Sequence, residues 1–245
     1  MKYEKDKKDI EERIKKFDQS RFVSDTWSSI INLLAYNLAT IFGNPDNLRE
    51  EYEKEISKYP DKKEITSLLL DIYKLIKDNP YKDVLGEMYM EIDLGNKYRG
   101  QFFTPYEVAR LMTAMTFNKE GILKAIEERG ICSFLDPTCG SGVMLLANAE
   151  RLSEEHIDYS KYGFFVGQDV DKLAALMCFI QLSLNEMPAI VCVGDTLSNP
   201  IVFNECGDPI LQEGQELWYT PKYIQNRYGI KVEYKDGQKK LVPAV

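Results

Sequence analysis

The sequence predicts an α/β fold: a shortened, doubly wound parallel sheet preceded by an N-terminal helical region. Two observations carry this. From Ile131 to Val193, short apolar runs alternate with helix-forming segments in the order strand, helix, strand, helix, strand. Before Thr104 the apolar residues recur at helical spacing instead. The first pattern implies right-handed crossovers between parallel strands. The expected division is a helical region over 1–100 and a sheet-bearing domain over 101–245.

The elements follow in chain order. Lys2 to Phe17 is a charged helix. Ser24 to Phe42 is strongly apolar, with Ser24 or Asp25 as its cap and Gly43-Asn44-Pro45 as its stop. Leu48 to Lys58 and Lys62 to Lys77 are amphipathic, separated by Tyr59-Pro60 and closed by Asn79-Pro80. Asp83 to Leu94 is a further helix. Thr104-Pro105 opens the next, with proline at its first position and Glu107 in its first turn. It runs through Val108, Leu111, Met112 and Met115, and Lys119 to Arg129 follows as a short helix.

Strands are expected over Ile131–Leu135, Gly163–Gln168 and Ile190–Val193, with helices over Gly142–Glu155 and Lys172–Asn185 between them. Ile201 to Gln215 reads as loop, with a turn at Gly207-Asp208-Pro209. Thr220 to Arg227 reads as a short helix. Ile230–Tyr234 and Lys240–Val242 flank Lys235-Asp236-Gly237-Gln238 as a β-hairpin. Either that hairpin or another subunit is the expected cover for the open edge of the first strand, the hairpin being favoured because it lies in the same chain. Trp27, Tyr36, Phe42 and Trp218 are expected to pack, and His156 to lie at the surface past a helix end.

Composition narrows the function classes. The chain has 245 residues, 44% hydrophobic and 29% charged, which is ordinary for a folded domain. No apolar run approaches the ~20 residues that cross a bilayer. Five cysteines without a Cys-x-x-Cys pair, and one histidine, argue against a zinc site and for a reducing, cytoplasmic setting. A net charge of −8 argues against a large nucleic-acid footprint. The segment from Tyr219 to Val245 departs from this, with six basic and two acidic residues, and reads as a solvated hairpin, with a nucleic-acid contact as the alternative.

The chemistry gathers at the strand ends. Phe134-Leu135-Asp136 runs into Pro137-Thr138-Cys139-Gly140-Ser141-Gly142 and then a helix. A strand, a tight glycine turn and a helix N-terminus let backbone N–H groups and a carboxylate approach a nucleotide-like ligand. No Gly-Lys-Ser/Thr follows, so the turn is not a P-loop. Asp169 ends the second strand, placed to accept from two ribose hydroxyls, while Asp171 suits the cap of the next helix. Asp195, in Gly194-Asp195-Thr196-Leu197, ends the third and would accept from an adenine amine. Together these residues suggest a site for S-adenosyl-L-methionine.

Four segments in this order resemble the N6-adenine DNA methyltransferases, and most closely the modification subunits of type I restriction-modification systems. They are Gly100-Gln101-Phe102-Phe103-Thr104-Pro105 with the Val108–Met112 helix, Asp136 to Gly142, Gly167-Gln168-Asp169-Val170-Asp171, and Gly194 to Leu197. The resemblance covers about residues 83 to 200. It implies a Rossmann-like, S-adenosylmethionine-dependent methyltransferase sheet acting on the N6 of adenine in DNA. It also implies a cofactor site made by Phe103, Thr104, Pro105, Asp136, Thr138, Cys139, Gly140, Gly142, Asp169 and Asp195.

One departure is plain. The family's Asn/Asp-Pro-Pro-Tyr/Phe motif is absent. That motif supplies acceptors for the amine of a flipped adenine and a ring to stack on it. Asn199-Pro200 and Asp208-Pro209 lack the second proline and the adjacent aromatic residue. The sequence therefore names no catalytic residue. A catalytically silent cofactor-binding regulatory module, or half of a split enzyme with a partner subunit, stays open beside the enzyme. DNA and a partner chain or second copy are the expected partners; a membrane is not.

Overall fold

The computed structural model describes residues 2–17, 22–40, 46–92, 103–235 and 238–243, with the backbone alone for 46–47 and 230–243. The predicted stop at 43–45, the end of the predicted fifth helix at 93–94, residues 100–102 and Phe42 lie outside the described residues.

Five helices come first: α1 (Lys2–Phe17), α2 (Val23–Thr40), α3 (Asp46–Ile56), α4 (Lys62–Asp78) and α5 (Val84–Glu91). α2 is apolar around most of its circumference and is buried accordingly, with Trp27, Ile30, Ile31 and Leu33 fully enclosed. It starts at Val23, so Ser24 and Asp25 lie within its first turn. Asp61 caps α4 by accepting from the backbone N–H groups of Lys63 and Glu64. Asp83 caps α5.

α6 (Tyr106–Thr116) and α7 (Lys119–Arg129) lead into the sheet. Then come β1 (Cys132–Asp136), α8 (Val143–Glu154), α9 (Tyr159–Tyr162), β2 (Gly163–Asp169), α10 (Lys172–Leu184) and β3 (Ala189–Val193). β4 (Val202–Phe203) and β5 (Pro209–Ile210) form a small ribbon. β6 (Glu216–Tyr219), α11 (Pro221–Tyr228), β7 (Ile230–Lys235) and β8 (Gln238–Pro243) close the described chain.

The main sheet has the order β1-β2-β3-β6. β1, β2 and β3 are parallel, and β6 adds antiparallel to β3. The α/β class and the shortened parallel sheet therefore stand as the sequence predicts.

α10 is the hinge of the packing. Every residue from Ala174 to Leu184 is buried, because the helix lies between β2 and β3 on one side and α2, α4 and α5 on the other. One continuous apolar cluster runs from Ile10 of α1 to Trp218 of β6. It spans both sides of the expected boundary at residue 100.

Three strand-level expectations change. The loop expected over Ile201 to Gln215 holds the paired strands β4 and β5. β6 was not anticipated: its four residues fall where a loop was expected to end. Burial explains it, since Trp218 is enclosed, stacks on Tyr36 of α2 with ring centroids 6.1 Å apart and meets Phe179 of α10 at 5.3 Å. The packing role expected for Trp218 and Tyr36 holds. The hairpin, by contrast, does not cover β1. β7 and β8 pair with each other, from Ile230↔Pro243 to Lys235↔Gln238. The hairpin leaves from α11, which begins beside β6 at the far edge of the sheet, and β7 packs on α11. Among the described residues β1 keeps one unpaired edge.

Candidate functional site

The carboxyl ends of β1, β2 and β3 open into one cleft of about 880 Å³. Phe103, Thr104, Asp136, Thr138, Cys139, Gly140, Asp169 and Asp195 all line it. Parallel register explains the convergence: Asp136 lies opposite Gly167 on β2, and Asp169 opposite Val193 on β3. Each acid or its neighbour thus leaves the sheet at nearly one level, at the end where open parallel sheets hold ligands.

The glycine turn is fixed by backbone bonds. Cys139 donates to the Gln168 carbonyl at 2.9 Å, and Gly142 to the Cys139 carbonyl at 2.7 Å. The Gly140 N–H donates to Asp169 Oδ2 at 2.8 Å, while the Asp171 N–H donates to Asp169 Oδ1 at 2.9 Å. Gly140 has a φ of +52°, and a methyl group there would come within 3.0 Å of Phe103 Cδ1. The absent side chain leaves the Phe103 ring seated against the turn.

Asp136 and Asp195 differ electrostatically. Burial, and then the nearby Asp169 charge, hold the Asp136 carboxyl above its ordinary range, opposed by the Thr138 N–H at 3.2 Å. Asp195 is exposed and held below the ordinary range by the Leu197 N–H at 2.9 Å and the Ser198 hydroxyl at 2.8 Å. Thr196 Oγ1 donates to the Pro137 carbonyl at 2.5 Å, which ties the third strand's loop to the glycine turn.

Two expected residues act from outside the cleft. Pro105 is the N-cap position of α6, and its carbonyl accepts from Val108 and Ala109. Gly142 caps α8 with a φ of +98°, and a methyl there would meet Cys178 Sγ at 2.8 Å. It serves the close approach of the turn to α10. Asp171 takes the capping role expected of it, accepting from Leu173 and Ala174.

The apolar wall was not legible. Met112, Leu135, Val170 and Leu197 line the cleft with large side chains open to solvent. So was Gln168, a buried side chain that donates to the Gly194 and Asn199 carbonyls and accepts from Ile201, holding the loop after β3. Neither Asn199 nor Asp208 lines the cleft. Asn199 donates to the Glu213 carbonyl, and Asp208 pairs with Arg227 at 2.7 Å.

The cleft combines acceptors at three strand ends, apolar walls between them, and a turn where a side chain would collide. The sequence profile of the family described as N-6 DNA Methylase matches residues 81–212, more than half the chain and the whole of this cleft from Phe103 to Leu197. The chain belongs to the N-6 DNA methylase family. The methylase subunit of the type I restriction enzyme MjaVII from Methanocaldococcus jannaschii is 26% identical to the chain over 107 residues. That match covers 42% of this N-6 DNA methylase-family chain and 16% of the relative's length. A crystal structure of a class I S-adenosylmethionine-dependent methyltransferase from Listeria monocytogenes covers 82% of the chain and 68% of its own, at 15% identity and a TM-score of 0.36. No described helix is long and apolar enough to cross a membrane.

Proposed function

We propose that the chain binds S-adenosyl-L-methionine in the cleft and serves adenine-specific N6 methylation of DNA in a restriction-modification setting, in the cytoplasm. The observation that carries this is the convergence of Asp136, Asp169, Asp195 and the Gly140 turn on one cleft. When bound, the cofactor supplies an electrophilic methyl group on a sulfonium centre.

The chain's residues do the holding. Asp169, oriented by two backbone N–H groups, accepts from ligand hydroxyls with its remaining lone pairs. Asp195 accepts from an amine. Asp136 draws in the cationic end of the ligand. Phe103, Val170 and Leu197 offer apolar surface to a planar base and exclude water from it. Methyl transfer on this reading is positioning and desolvation without a protein nucleophile.

A second reading draws on β1's unpaired edge and on the absent Asn/Asp-Pro-Pro-Tyr/Phe sequence. In it, the chain is the cofactor-holding half of a methylase, and the residues that hold the flipped adenine sit on a partner subunit. Calorimetric titration with S-adenosylmethionine tests the shared claim. A methyl-transfer assay on adenine-containing DNA then separates the two: N6-methyladenine formed by the purified chain alone supports the first, and its formation only when a partner chain is added supports the second.

A further inference from the structure

We propose that Asp83 is a positioning residue for the cofactor site, holding the glycine turn from behind through Ser141. The inference rests on the cleft's being the cofactor site, as proposed above.

Asp83 is buried at the N-terminus of α5, outside every segment that marks the cleft in the sequence. Its carboxylate accepts from three neutral donors. The Ser141 hydroxyl lies at 2.6 Å, Gln181 Nε2 at 2.8 Å and the Gly86 N–H at 3.0 Å. The circuit closes on itself. Gln181 Nε2 also donates to the Ser141 carbonyl at 2.8 Å, and Gln181 Oε1 accepts the Leu85 N–H at 3.0 Å. Ser141 is therefore held at both its hydroxyl and its carbonyl, and it lies between Gly140 and Gly142, the two positive-φ residues of the turn.

Gly86 is shaped for this circuit. A methyl group there would collide with Asp83 Oδ2 and reach Ser141 Oγ at 2.5 Å. The other end of α5 supports the same turn. Tyr89 packs on Phe103 with ring centroids 5.3 Å apart, and Phe103 lies against Gly140. One two-turn helix thus braces the turn at both ends. A buried carboxylate is costly to desolvate, and a side chain whose partners merely packed the core would not need one. Here it fixes donors on two elements that lie 58 and 98 residues away in sequence.

Amide hydrogen exchange on the intact chain, without ligand, tests this directly. Asp83→Ala removes the acceptor shared by Ser141, Gln181 and Gly86; Ser141→Ala removes the hydroxyl and is the milder variant should the first fold poorly. Ile72→Val, in the enclosed core of α4, serves as the control for general loss of stability. In both site variants the amides of Cys139, Gly140 and Gly142 should exchange about tenfold faster or more relative to those of α4. S-Adenosylmethionine should bind about tenfold more weakly, a change that Ile72→Val does not produce. Turn amides that change only in step with α4, as in the control, would overturn the role of Asp83. If the wild-type chain bound no S-adenosylmethionine, the cofactor reading of the cleft would fall, and the exchange rates would still decide whether Asp83 holds the turn.

Discussion

The Gly140 backbone N–H donates to the Asp169 carboxylate at 2.8 Å, joining the turn after β1 to the end of β2. The carboxylate's other oxygen takes the Asp171 N–H at 2.9 Å. Asp169 is therefore oriented before any ligand arrives, so less ordering cost falls on binding. The same bond makes the turn's shape depend on the acid.

Replacing Asp169 with Ala should weaken S-adenosylmethionine binding by about 1.5–3 kcal/mol, the range for hydrogen bonds to a charged group. The turn also loses its anchor, so the cost should sit at the upper end of that range. Calorimetry on the wild-type and variant chains measures it. Equal affinities would show that Asp169 serves the turn alone.

Gly140 offers a smaller and sharper change. Alanine at a φ of +52° costs about 1 kcal/mol in the backbone, and its methyl presses on the Phe103 ring at 3.0 Å. Gly140→Ala should lower unfolding stability by about 1–2 kcal/mol and reduce ligand affinity with it. Urea denaturation and titration on the same sample report both. A variant as stable and as tight-binding as the wild type would leave the turn with no steric role.

The acids should separate by pH. As pH falls from neutrality, Asp136 takes its proton before Asp195, because burial raises the first and two donors lower the second. Affinity for a cationic ligand should then fall in mild acid through Asp136. Asp136→Asn should flatten that profile, and Asp195→Asn should leave its mild-acid limb in place. Linkage fixes the sign for folding. A carboxyl raised in the folded state binds more protons there than in the unfolded chain, so its contribution falls as pH rises above the ordinary carboxylate value. Asp136→Asn should gain stability relative to wild type over that same rise. An unchanged affinity profile in Asp136→Asn would remove Asp136 from ligand binding.

α6 turns its large apolar residues outward. It buries Ala109 and Thr113, with Ala109 against Val143 and Ala147 of α8, and exposes Val108, Leu111, Met112 and Met115. With Leu135 on the open-edged β1 also exposed, this side of the sheet should self-associate at high concentration. Leu111→Lys with Met115→Lys should lower the association seen by sedimentation. Deleting residues 229–245 should not raise it, since the hairpin pairs only with itself in the described structure. A truncated chain that aggregates would restore the hairpin as the edge cover.

Local chemistry was legible and long-range pairing was not. An acid at the end of an apolar run, followed by two glycines, reads the same in sequence and structure, because the turn needs those residue types wherever it occurs. Asp171 is legible for the same reason, since a cap bonds two and three residues ahead. β6 was missed because four residues carry too little periodicity, and its pairing depends on the free side of β3. Asp83 was read as the first residue of a helix and instead caps it, and its partners Ser141 and Gln181 lie in other elements that no spacing rule joins to it. Leu197 and Val170 stood beside the acids in the sequence, but only the cleft's shape gives them a common wall.

On the proposed function, these three strand ends hold S-adenosylmethionine. Isothermal titration of the purified chain with S-adenosylmethionine tests it most directly, with Asp169→Ala as the paired sample. The wild-type chain should bind saturably at one-to-one stoichiometry, and the variant clearly more weakly. No detectable heat from the folded wild-type chain at millimolar ligand would contradict it.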